Sequence, residues 1–424
     1  MSRRLQFRGG VLGVSRRAGV AFPLTVVLLS VVGARGSPHP QAEGVAYRVL
    51  YSFTGGTDGA GPLSRGGLVR DASGNLYGTT YQGGDLSCGG GYGCGVIFKV
   101  DPHGNETVLH SFTYSEGIYP IGGLVRDRAG NLYGTTSIYG PGNNGTVFKL
   151  DTSGNLTVLY AFTGGSDGGF PEPTLTRDAA GNLYGTTASG GSGLNGVVFV
   201  VNEQGQETVL HTFDGTDGSD PTEPLLRDAN GNLYGTTSAG GSSNAGTVFK
   251  LDKMGNETVL YSFKGVPDGY GPNSDLFRDA AGNWYGATYQ GGTYNWGALF
   301  RLNSRGKETV LYSFTRGPDG SGPDGLLRDR AGNLYGTTSV GGSPFCGSGF
   351  ACGVVFKFDN KGKLLILHTF DGSDGAGPGG GLVTDGKGNF YGTAYYGGIY
   401  GRFNGTGVVF EISVNQDGES RREP

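Results

Sequence analysis

The chain has 424 residues, of which 87 are Gly but only 18 Pro and 4 Cys, and a formal net charge of −4. Glycine at one residue in five without a three-residue period excludes a collagen-like chain, and 23 Tyr with 23 Phe exclude a disordered one. The 32 Lys and Arg are offset by 36 Asp and Glu, which leaves no basic footprint for gripping nucleic acid or an anionic membrane.

At the N-terminus Arg3, Arg4, Arg8, Arg16 and Arg17 precede the apolar run Ala18 to Val32, followed by the small residues Gly33 and Ala34. This is the layout of an export signal over residues 1–36, with 37–46 as a linker. The run is short for a membrane span, so no membrane insertion is expected after cleavage; an uncleaved anchor is the alternative. Two Ser-Arg-Arg strings lack the rest of a twin-arginine consensus and leave the export route open.

From there a single unit recurs. Its Gly-Asn pair begins at Gly74, Gly130, Gly181, Gly231, Gly282, Gly332 and Gly388, at spacings of 56, 51, 50, 51, 50 and 56 residues. Each copy holds a short strand such as Leu68 to Asp71, a Gly-Asn turn, Leu76 to Thr80, a Gly-rich loop, Val96 to Val100, a polar turn and Thr107 to Phe112. β-Branched and aromatic residues fill the runs, and no stretch has a helical apolar period. Four-stranded units of about 50 residues bury both faces only by packing radially on one another, so the spacing predicts an all-β, seven-bladed propeller of four-stranded antiparallel blades. Residues 47–412 form it. The chain begins with a fourth-strand sequence, Tyr47 to Phe53, and its last repeat stops at a third-strand sequence, Val408 to Ile412, so the N-terminal strand is expected to complete the last blade. Residues 413–424 form a polar tail.

The cysteines fall in two C-x5-C pairs inside Gly-rich loops, Cys88 with Cys94 and Cys346 with Cys352. The spacing suits two local disulfides in an exported protein better than a zinc site. An Asp ends every first strand (Asp71, Asp127, Asp178, Asp228, Asp279, Asp329, Asp385), placed to accept backbone N–H groups of the following turn. The Arg before it in six copies is expected to pair with a neighbouring blade or stack on a ring. His110, His211 and His368 occupy a slot that Tyr fills elsewhere, which marks packing, and no histidine pair has metal or nucleophile spacing. No nucleophile elbow, P-loop or zinc motif stands in a credible context, and no metal or cofactor is expected.

The unit GNLYGTTxxGG…GTVFKL…TVLYSFxGGxDGxxP resembles the GloVer tandem repeat of bacterial exported proteins over Tyr47 to Ile412, and its strand order is similar to that of NHL-type propellers. The resemblance implies a surface or secreted repeat protein. Members often carry a C-terminal sorting anchor; only Ser413 to Pro424 follows here, which implies release.

The loops after the second and fourth strands share one face of a propeller and are the long ones here. The loop after the second strand has 14 residues in blades 1 and 6, 12 in blade 7 and 8 in the rest. Closure makes blades 6, 7 and 1 consecutive, so these loops are expected to form one wall braced by both disulfides. That wall carries Tyr92, Phe345, Phe350, Tyr395, Tyr396, Tyr400, Arg402 and Phe403. Such aromatics suit stacking on sugar rings or gripping a protein, unless they only cover loop backbone. On the same face Glu172, Glu223, Asp275 and Asp324, with Arg65, precede first strands and edge the channel mouth. They are weak catalytic candidates: a carboxylate pair for glycosidic cleavage, a cation site, or a solvated rim. The expectation is a secreted, monomeric, non-catalytic module that binds extracellular glycan or protein. A polysaccharide hydrolase, lyase or lactonase and a cell-envelope scaffold are the alternatives, because propellers host unrelated functions.

Overall fold

The computed structural model describes residues 42–63, 67–342, 352–400 and 405–414. The proposed leader, Arg65, Phe345, Cys346, Phe350, Arg402 and Phe403 lie outside the described residues. Blade 1 is built from Val69–Arg70, Leu76–Thr80, Val96–Val100 and Glu106–Ser111, paired in that order. Six further antiparallel sheets repeat the plan, giving the seven-bladed propeller that the spacing predicts. In the seventh, Val45–Ser52 pairs antiparallel with Val408–Val414, from Val45 opposite Val414 to Ser52 opposite Val408. The first strand of the fold therefore closes its last blade.

Two residues of the repeated G-T-T string have local reasons. A Cβ on Gly78 would lie 2.7 Å from both Leu68 and the Phe98 ring. In the other six copies the same atom would lie 2.6–2.8 Å from the third-strand Phe. The sheet thus has room for the ring only where the facing residue is glycine. Gly235→Ala should lower stability by about 1–3 kcal/mol through overpacking, read as a fall in the urea midpoint at constant m-value. The second Thr ties the strand end: Thr80 Oγ1 accepts the Val96 N–H and donates to the Gln82 carbonyl.

Between blades, the Phe after each fourth strand meets the third-strand Phe of the next blade. Phe112–Phe148 and Phe162–Phe199 cross edge to face with centroids 5.1 and 5.0 Å apart. The pair Phe53–Phe98 repeats this across the closure at 5.1 Å. These rings are fully buried, so each interface gains apolar burial plus about 0.5–1.5 kcal/mol of ring geometry. Nearer the other face, each first-strand Arg stacks on the second-strand Tyr of the preceding blade, from Arg328 over Tyr285 at 5.0 Å to Arg278 over Tyr234 at 5.8 Å. Arg70 over Tyr391, at 5.5 Å, again spans the closure. Where Thr384 replaces the Arg, Tyr335 stacks on Phe390 instead, at 4.4 Å.

The seven aspartates are structural, as their position before a turn suggests. Asp71 accepts the Asn75 backbone N–H and side-chain amide, both at 2.9 Å, and the Tyr77 hydroxyl at 3.0 Å. Burial opposes its charge, but these hydrogen bonds win and hold the carboxyl below its ordinary value. The Tyr/His slot of the fourth strand also has a polar partner. Tyr51 donates to Asp58 at 2.9 Å, and His211 Nε2 lies 2.8 Å from Asp217. All seven copies repeat this contact to the acid of the following D-G-x-x-P segment, or E-G-x-x-P in blade 2. The same acid caps the turn, since Asp58 also accepts the Thr54 N–H.

Candidate functional site

Each loop after a second strand is stitched to the D-G-x-x-P segment of the next blade. Tyr119 N–H donates to the Cys94 carbonyl, Asp220 N–H to Asn195 and Gly61 N–H to Thr406. Pro120 packs on Gly95 at one of these joints, and Pro62 on Gly407 at the closing one. The loop face is therefore a continuous collar, and closure sets the loops of blades 7 and 1 side by side: Tyr395 and Tyr81 lie 6.4 Å apart.

The disulfide Cys88–Cys94 forms as expected, with Cα atoms 5.5 Å apart. Both sulfurs are buried with Phe112 and Ile118, so the bridge braces the blade 1 loop against blade 2. Cys352 is also disulfide-bonded and is buried at the junction of blades 6 and 7. Of the proposed wall, Tyr92, Tyr396 and Tyr400 are exposed at 68%, 43% and 56%. Tyr395 is half-buried, its ring lying over Gly61 and meeting Tyr396 edge-on at 4.5 Å.

Two repeat positions reach the central cavity, through Ser238, Tyr289 and Ser339 at the first and Asp220 and Gly271 at the second, and Tyr395 of the wall stands at the first as well. The residue after G-T-T is Ser or Ala in four copies but Tyr81, Tyr289 and Tyr395 in the others. Each tyrosine ring rests on the next blade: Tyr289 over Gly322, Tyr395 over Gly61, and Tyr81 stacked on Tyr119 at 4.3 Å and 20°. The second position is the x before Pro in D-G-x-x-P. Four copies use Gly there, at φ of 59–62° in Gly61, Gly271, Gly322 and Gly377. The other three hold Tyr119, Phe170 and Asp220 at 56–58°, a left-handed backbone that costs a side-chain-bearing residue about 1 kcal/mol or more. The contrast between copies was available in the sequence; that both positions face one opening was not.

The mouth opens into a cavity of about 700 Å³, within the ordinary range for ligand sites. Tyr270 and Tyr289 of blade 5 stand on one side and Leu63 of blade 1 borders it, with Glu172, Asp220, Asn273, Gln290 and Asp324 among the polar groups between. Of the four acids named from the sequence, Glu172 and Asp324 line the cavity, and the set is not a uniformly solvated rim. Glu223 is only 5% exposed. Burial pushes the Asp275 carboxyl up to about 7, and the neighbouring Asp324 charge adds to the shift. Burial raises the Tyr81 hydroxyl above its ordinary value, and the Glu172 charge adds to the shift. Among the described residues no three His, Cys, Asp or Glu side chains gather to hold a metal ion, and no helix is long and apolar enough to cross a membrane.

The profile of the Gloeobacter/Verrucomicrobia repeat matches residues 86–283 and 268–421. No curated protein is similar to the chain. Among solved structures it is similar to a streptogramin B lyase, at 11% identity and TM-score 0.55, over 88% of this chain and 100% of that one. A virginiamycin B lyase from Staphylococcus aureus, solved with quinupristin, aligns at 11% identity and TM-score 0.57 with the same coverage. The extracellular domain of a hybrid two-component system from B. thetaiotaomicron aligns at 14% identity and TM-score 0.50, over 88% of this chain and 41% of that one. At such identities the likeness is one of fold.

Proposed function

This chain belongs to the Gloeobacter/Verrucomicrobia repeat family, and from that premise we propose that it is an exported, non-catalytic module that binds glycan at the mouth of its propeller. The observation that carries the reading is the cavity itself: one opening bordered by Tyr270 and by Tyr289, whose ring is seated on Gly322 of the next blade, with amide, hydroxyl and carboxylate groups around them. Ring faces stack on the C–H faces of sugars and lose little entropy when already held, while carboxylates and amides accept from sugar hydroxyls. The disulfide and the family both support a place outside the cytoplasm. The exposed loop tyrosines Tyr92, Tyr396 and Tyr400 extend the same face and would widen the contact. A glycan array probed with the purified protein, alongside Tyr289→Ala, is expected to give binding that the variant weakens about tenfold, the equivalent of a stacked ring. Binding unchanged in the variant would remove the mouth as the site.

One observation favours a catalytic reading. A carboxyl raised to about 7 beside a second carboxylate, Asp275 with Asp324, has the two-acid character of general acid–base chemistry on glycosides. That reading expects Asp275→Asn to abolish release of reducing ends from a bound polysaccharide. The binding reading expects no release from either protein.

A further inference from the structure

We propose that the ligand is an uncharged β-linked hexopyranose chain that lies across the mouth, held at two aromatic stations on opposite sides; this rests on the glycan reading above. One station is on blade 5, where Tyr289 and Tyr270 border the cavity and are 46% and 40% exposed. The other is on blades 7, 1 and 2, where Tyr395, Tyr81 and Tyr119 form a run of ring contacts at 6.4 and 4.3 Å. In a closed ring of seven, blade 5 stands three steps from blade 1 and three from blade 2, so the stations face each other across the axis.

Continuity of the opening is the second support. The same cavity that touches Tyr270 and Tyr289 reaches Leu63 in the segment entering blade 1, and Tyr81 and Tyr395 stand at the repeat position through which Ser238, Tyr289 and Ser339 line it. Its middle is polar rather than aromatic, with Asp220 accepting from Ser238 at 2.6 Å and with Asn273 and Gln290 nearby. A chain bound in this way stacks at two separated units and is hydrogen-bonded between them. The flat faces of equatorially substituted β-linked rings suit stacking, and carboxylates between the stations disfavour an anionic chain.

The strained backbone is the third support. Tyr119 and Asp220 occupy left-handed positions where sister copies use Gly: one stacks on Tyr81 in the second station, the other lines the polar middle. Side chains kept at such a cost mark a selected surface.

The test is calorimetric titration of the full protein with cello-oligosaccharides of two to six units, repeated with Tyr289→Ala and Tyr81→Ala. Affinity is expected to rise at least tenfold from the dimer to the longest chains. Each variant should weaken the hexamer about tenfold, while each leaves the dimer within about threefold because the opposite station remains. Equal affinity for dimer and hexamer, or a loss confined to one of the two variants, overturns the spanning arrangement and leaves the mouth as a short-ligand site. Binding of no chain, with circular dichroism unchanged, overturns the glycan reading itself.

Discussion

A chain lacking residues 42–52 should lose several kcal/mol of stability and begin to associate, because the closing strand carries more than its own hydrogen bonds. Its removal bares the full edge of Val408–Val414, an unpaired ladder beside apolar Val409 and Phe410. It also removes Tyr47, whose ring stacks on His368 at 3.7 Å and 6°, crosses Phe370 edge-on at 5.7 Å, and whose hydroxyl donates to the Asp374 carbonyl at 2.7 Å. Tyr47 with Val45 and Val49 packs on the core of blade 7. At about 1.5–3 kcal/mol for each fully buried side chain, discounted for partial burial, the loss is about 4–5 kcal/mol, comparable with the whole stability of many domains. Calorimetry should show a midpoint lowered by about 5–6 degrees, and size-exclusion chromatography should show oligomers. Tyr47→Ala alone should cost about 3 kcal/mol without oligomers, since the strand still covers the edge. A truncated protein that melts with the parent would mean that closure contributes little.

The second large effect is on the pH dependence of stability. Glu106, Glu207, Glu257 and Glu308 open the fourth strands of blades 1, 3, 4 and 5, and each has a buried Oε1 without a hydrogen-bond partner among the described residues. Burial pushes each carboxyl from 4.5 up to about 7, and a nearby acid adds to it: Asp58 for Glu106, Asp167 for Glu207, Asp217 and Asp214 for Glu257, Asp268 for Glu308. Lys264 partly offsets the last. The tyrosines Tyr51, Tyr160 and Tyr261 donate hydrogen bonds to the aspartates of three of these pairs, and each is held protonated by burial and by that bond.

An acid whose folded value is raised binds its proton more tightly when folded, so its contribution is complete below about 4.5 and declines as pH rises toward about 7. The hairpin aspartates act in the opposite sense. Asp71, Asp127, Asp178, Asp228, Asp279 and Asp385 are held below 3.8, so their contribution is complete above that value and declines as pH falls. The two sets leave a stability maximum between about 4 and 5. The quadruple Glu→Gln variant should keep the acid limb and lose the decline from 4.5 to 7, so that it exceeds the parent at neutral pH. Melting curves from pH 3 to 8 read this directly; parallel profiles for the two proteins would show that the four glutamates ionise freely when folded.

Much of this architecture was legible before any coordinates. Blade number, strand order and closure follow from a repeat whose copies differ little, because each copy must meet an identical neighbour on both sides and so keeps the same turn, ring and glycine. The structural role of Asp71 and its six counterparts was legible for the same reason: an Asp four residues before an Asn across a Gly turn finds its partners locally. The Tyr/His slot was legible as packing, but its carboxylate partner was not, although Tyr51 and Asp58 are only seven residues apart. Nothing in the alternation of Tyr and His says which acid they share.

The mouth was less legible. Loop length drew attention to blades 6, 7 and 1, whereas the cavity is bordered by Tyr289 and Tyr270 of a blade with an 8-residue loop. Sequence by itself determined the strands, the turns and the shared closing blade, because each depends on a blade's own residues or on an identical neighbour. Only the tertiary structure decided which of the departures from the repeat share one opening. Radial closure brings together residues more than a hundred positions apart, and that convergence is a property of the ring rather than of any unit within it.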